Sequence, residues 1–403
     1  MLQAMAFLLS LAFQSSGGEL HAAVRAGDAG RVKGLIANGA NVNERDSLGG
    51  TPLHEAAWSG DKAMVELLLA HGADPTARHR EGQSTPLDYA VITNRPEILE
   101  LLARDHAVLK SRTSSGTTLL HLAASRGYRR VVELLLARGL EVDARDSGGV
   151  TPLEEAAGRG ELDVITLLLA KGADPKQRNP VTGATPVHAV AAKGHADAVR
   201  RLADAGANVA ARDASGATPL DEALRHQRPA VIGVLLDQGG GPAPPRALEE
   251  AVLRGQVEVV EVLLGKGASA RVRTSSGATL LHDAALKGHE RMVALLIDRG
   301  AGVNEPNNSG AQPLHDAALA GQCRVAALLL DRGARIEARD GETGATALYH
   351  AASWGRRDCV ELLADRGADI QAANAAGATP LAAAVKAGHT DVAELLRSRG
   401  ARD

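Results

Sequence analysis

TPLHEAAWSGDKAMVELLLAHG, residues 51–72, decides the fold, because close relatives of it recur to the last residue of the chain. Aligned on the position of Thr51, the copies open at Gly18, Thr51, Thr85, Thr118, Thr151, Thr185, Thr218, Arg246, Thr279, Gln312, Thr346 and Thr379. The steps are 33 or 34 residues, apart from one of 28 between Thr218 and Arg246. A fixed period in this range marks a chain built from stacked supersecondary units.

Within one copy the local signals are clear. Thr51-Pro52 opens a turn and a first helix, where proline is tolerated because its missing N–H would be unpaired in any case. Gly60 ends that helix, and a second helix is expected through Met64, Val65, Leu67, Leu68 and Leu69 to Gly72. Ala73-Asp74 and the polar run that follows suit an extended β-hairpin finger. One such copy cannot bury its apolar face alone, so its neighbours supply the core.

TPLHEAA, TLLHLAA, TPVHAVA, TLLHDAA and QPLHDAA resemble the T-P-L-H-x-A-A motif of the ankyrin repeat, in register and over nearly all of the chain from Gly18 to Asp403. The resemblance implies an all-α solenoid of stacked antiparallel helix pairs with short β-hairpin fingers. It also implies non-catalytic binding of a partner protein by a concave groove and the finger tips. About twelve repeats are expected, seven over residues 18–241 and five over 242–403, continuous with the first stack. Gly239 to Pro245 replace a finger at the short step, but Val231, Ile232, Leu235 and Leu236 before it and Val259, Val260, Leu263 and Leu264 after it keep the internal apolar pattern. In the first copy Arg31 and Gly34 stand at apolar positions, and in the last Arg397 does, as expected of end repeats.

Residues 1–17 differ from the rest. The run AMAFLLSLAF followed by Gln-Ser-Ser-Gly-Gly resembles a secretory signal peptide without its basic start, too short for a spanning helix. Export is the expectation if it is one; a disordered N-terminus in a cytoplasmic protein is the alternative. The Ala, Arg and Gly richness points to a high-GC bacterial source.

Composition narrows the function. An aromatic content of 2% fits thin helical layers better than a thick globular core. A net charge of −3 gives no global reason to bind nucleic acid or anionic membrane. Cys323 and Cys359 fall at different offsets in their repeats, so two thiols are expected rather than a disulfide. Of the 14 histidines, His21, His54, His121, His188, His282 and His315 hold the T-P-L-H place, and His195, His289 and His389 follow the turn glycine. They repeat along the chain instead of converging, so no metal, cofactor or catalytic site is expected, and no H-E-x-x-H, C-x-x-C or phosphate loop occurs.

By the resemblance, the fifth, eighth and ninth residues of each repeat face the groove. Trp58, Tyr89, Ile92 and Leu122 then form an aromatic and aliphatic cluster, the usual make-up of a binding hot spot. A second stripe, Leu253, Leu286, Leu319 and Trp354, carries less weight because leucine is ordinary at this place. Arg126, Arg159, Lys193, His226, Arg254 and Lys287 make a basic stripe, of which only Arg126 and Lys193 lack an acidic residue four positions earlier. The expected partner is a protein bound by a monomer; nucleic acid on the basic stripe and a cryptic enzymatic site are the rival readings.

Overall fold

The computed structural model describes residues 18–80, 83–103, 109–110, 112–113, 115–244 and 246–402. The N-terminal segment read as a candidate signal peptide lies outside the described residues. Among those described there are 24 helices, alternating between a first and a second helix of each repeat. The chain divides into two compact units, residues 1–226 with 237–240 and residues 227–236 with 241–403. In the first unit the first helices pack in file from Glu19–Arg25 to Pro219–Arg225; in the second they do so from Ala247–Leu253 to Pro380–Ala387. The protein is thus all-α, and each unit is a solenoid of antiparallel helix pairs.

Each helix pair follows from its sequence. In Pro52–Ser59 the Thr51 side chain and His54 form a capping box, proline occupies the first turn, and Gly60 closes the helix at φ 79°. Some turn glycines are fixed by packing as well as by φ: a Cβ on Gly355 would stand 2.6 Å from Nδ1 of His389, whose ring covers that turn from the next repeat. Where glycine is replaced, the backbone still enters the left-handed region, at Asn94 (φ 56°) and Gln227 (φ 54°). Asparagine tolerates this conformation; glutamine is strained there. His106, read as a third replacement, lies outside the described residues. Leu53, Leu68, Leu281 and Leu314, at repeating positions, are buried in the layer between the helices.

The T-P-L-H histidine ties neighbouring repeats together. The Thr279 N–H donates to Nδ1 of His282 at 3.0 Å, and Nε2 reaches the Ala311 carbonyl, 3.0 Å away, just before the next repeat opens. His54, His121 and His188 reach Ser84, Val150 and Ala217 in the same way. An Nδ1 that accepts a backbone N–H must be unprotonated, so Nε2 carries the hydrogen and the ring is neutral. Asp88, Glu154 and Asp221 take the same Thr N–H in their repeats, at 2.6, 2.9 and 2.8 Å, but cannot donate onward.

The fingers differ from the expected β-hairpins. Among the described residues only two isolated bridges occur, Arg112 with Thr118 and Arg273 with Thr279. Asx turns consume the donors that a ladder would use: Asp146 Oδ1 accepts from the N–H groups of Gly148 and Val150, each at 2.9 Å. In five fingers an arginine clamps the finger to the next. Arg145 Nη1 donates to the Gly149 carbonyl in its own finger and to the Arg178 carbonyl one repeat on, at 3.0 and 3.1 Å. Arg45 and Arg112 repeat this clamp in the first unit and Arg273 and Arg339 in the second.

The cysteines are a correction. Cys323 and Cys359 form a disulfide, Cα atoms 4.9 Å apart, joining the second helices Cys323–Asp331 and Arg357–Asp365 of adjacent repeats. Different offsets had argued against pairing, but on parallel neighbouring helices equal offsets make two side chains point the same way. A shift of two residues turns the second through about 200°, back toward the first.

Candidate protein-binding face

The face to weigh is the one that the first helices leave uncovered. Their alanine and leucine positions enter the core, while the fifth, eighth and ninth residues of each repeat lie at its edge. Tyr89, in the cluster expected to carry binding, is only 2% exposed. Its ring sits edge-on to Trp58 and His54, centroids 5.6 and 5.4 Å away, and against the buried finger residue His79. Trp58, Ile92 and Leu122 are half-buried. Tyr89 therefore packs the core beneath Trp58, because a finger residue, His79, folds back over it.

The same region holds an ion pair whose carboxylate is buried and whose arginine reaches solvent. Arg25 Nη1 lies 3.1 Å from Glu55 Oε1, and burial pushes the Glu55 carboxyl up to about 7 despite that partner. The basic stripe is partly tied down. Arg126 Nη1 donates to the Ile92 carbonyl at 2.7 Å, Glu222 pairs with His226 at 3.5 Å, and Glu250 pairs with Arg254 at 3.6 Å. Arg159 and Lys193 are exposed.

Large apolar side chains reach solvent on the first-helix face of the second unit. Leu253 is 36% exposed, Leu286 40% and Trp354 55%, with Leu319 half-buried between them. Leu253, Leu286 and Leu319 hold the same place in consecutive repeats, and Trp354 follows one residue further along its own. Of the other exposed large apolar residues, Leu162 lies on a second helix, Val181 and Val272 lie on fingers, and Val385 holds the seventh place of its repeat, where Val252, Ala285 and Ala318 are buried. So the stripe that sequence reading ranked second is the accessible one.

Carboxyls line that stripe one turn back. Glu250, Asp283 and Asp316 precede Leu253, Leu286 and Leu319 by three residues, which sets each beside its leucine on one helix face. Oδ2 of Asp283 is buried with no hydrogen-bond partner. Burial, and then the neighbouring Asp283 carboxylate, push Asp316 up to about 7. Asp283 is itself raised by burial and by Glu249, against the pull of Lys287.

The family model described as Ankyrin repeats (3 copies) matches residues 20–113, 105–179, 171–243, 248–340 and 338–402. The chain belongs to the ankyrin-repeat family. Ankyrin repeats are generally protein–protein interaction modules and are typically non-catalytic. No curated protein matches the chain. Among the described residues no helix is long and apolar enough to cross a membrane.

Proposed function

We propose that this protein is a non-catalytic interaction scaffold that holds a partner protein against its first helices and finger tips. The observation that carries the reading is the row Leu253, Leu286 and Leu319 at one place on successive first helices of one unit, with Trp354 one residue further along the next, Leu253, Leu286 and Trp354 being exposed. Scattered surface leucines are ordinary; a row in register on one face is the mark of an interaction surface. Trp58, Ile92, Leu122, Arg126, Arg159 and Lys193 are proposed as contacts of the first unit, with Tyr89 acting by holding Trp58 in place.

Capture from source-cell extract tests this. Leu286→Asp combined with Trp354→Ala should lower capture at least tenfold, since truncating central aromatic anchors commonly costs 2 kcal/mol or more, about thirtyfold in affinity. The melting transition should stay near that of wild type, neither side chain lying in the core. Trp58→Ala is the matching probe in the first unit, because Tyr89→Ala would remove a core ring. Capture unchanged by all of these substitutions would refute the assignment.

A further inference from the structure

Deepening the reading just proposed, and resting on it, we infer that the second unit's face is shaped for a partner segment that places a lysine or arginine among apolar side chains. The apolar stripe sets one half of that chemistry and the carboxyl row the other. Leu286 and Leu319 each stand one helical turn from an aspartate, and neighbouring first helices in such stacks lie about 8–10 Å apart. A segment lying across the stripe therefore meets a carboxyl beside each of Leu253, Leu286 and Leu319, and His350 in the repeat of Trp354.

Those carboxyls are not equally engaged. Glu250 already faces Arg254 at 3.6 Å and is exposed, so its charge is screened and shared. Asp283 keeps one buried oxygen without a donor, and Lys287, four residues on, acts on it as a charge without an ion-pair contact among the described residues. Asp316 is half-buried beside Asp283, and no hydrogen bond or ion pair to it occurs among the described residues. A half-buried carboxyl pair with no cation between them is unfavourable on its own. An arriving ammonium or guanidinium would relieve it, while its flanking apolar groups cover Leu286, Leu319 and Trp354. A purely apolar segment would instead bury Asp316 further with nothing in return, which sets specificity against such segments.

Selection of a displayed library of random 16-residue segments on the intact wild-type chain tests the inference. Parallel selections use the Asp283→Asn/Asp316→Asn double variant and the Leu286→Asp variant. The expected result is enrichment of segments with a basic residue between apolar ones, the basic residue losing its enrichment on the Asn variant and all enrichment vanishing on Leu286→Asp. A selected segment should then bind wild type at least tenfold more tightly than its version with norleucine for the basic residue, and the ratio should fall near one on the Asn variant. Leu286-dependent apolar segments with no basic preference would overturn the inference and leave the docking face standing. No Leu286-dependent enrichment would overturn both. Leu286-dependent self-association without such segments would assign the face to a second copy of the chain and overturn the inference.

Discussion

Reducing the Cys323–Cys359 bond should destabilise the repeats it joins by about 4 kcal/mol, the chain-entropy value for closing a loop of this length. The bond spans 36 residues and links two helices that otherwise meet along one side-by-side contact. In a repeat stack each repeat touches only its neighbours, so a covalent tie between two of them acts on that one interface and on the repeats beyond it. Thermal melting and hydrogen exchange of the full chain, with and without dithiothreitol, give the readout. Protection should fall in Cys323–Asp331, Arg357–Asp365 and the helices that follow, and the Cys323→Ser variant should match the reduced wild type and ignore the reductant. Equal protection in both redox states would show that the staple contributes nothing. The bond persists only where the thiol–disulfide poise is oxidising, so the same chain has looser C-terminal repeats in a reducing compartment.

His121→Ala should cost about 3 kcal/mol, because it strips partners from two main-chain groups at once. The Thr118 N–H loses its Nδ1 acceptor and the Val150 carbonyl, just before the next repeat opens, loses its Nε2 donor, 3.0 Å away. His121→Glu should lose less: Glu154 shows that a carboxylate there takes the Thr N–H, at 2.9 Å, although it cannot reach onward as a donor. The effect depends on pH in a defined direction. Burial holds His121, His188, His282 and His315 below the ordinary imidazole value and His54 at about 4. Each therefore contributes stability that is present above about 6.5 and is lost as pH falls from there through the folded-state values. The raised carboxyls of Glu55 and Asp316, both at about 7, act the opposite way, contributing below their unfolded values and losing that contribution as pH rises toward 7. The whole-protein profile mixes the two, but the gap between wild type and His121→Ala isolates the histidine. That gap, measured by denaturant unfolding, should narrow from pH 7 to pH 5; a gap that widens on acidification would mean the imidazole is charged in the folded state.

The fold was legible because its signals are local and repeated. A threonine, a proline and a turn glycine at a fixed period specify cap, helix and stop, and one copy reads like the next. What escaped were the links between copies. The clamping arginines, Arg45, Arg112, Arg145, Arg273 and Arg339, stand just before the finger turns at the repeat period, yet nothing in one repeat says that an arginine will reach the carbonyl of another. The disulfide was missed for the same reason, since offset within a repeat does not give the direction of a side chain between repeats. On the face, Tyr89 looked available because its position usually is; only packing shows His79 and Trp58 closing over it. Leu253, Leu286 and Leu319 looked ordinary singly, and their meaning lies in their holding one place in consecutive repeats with Leu253 and Leu286 exposed.

Photo-crosslinking tests the central claim most directly. Benzoylphenylalanine would replace Trp354 or Leu286 on the proposed face, and Leu162 as a control, also exposed and apolar but on a second helix. A protein partner crosslinked from positions 354 and 286 and not from 162 is the result the account predicts. Crosslinks to that partner from 162 alone would place binding on another face and contradict it.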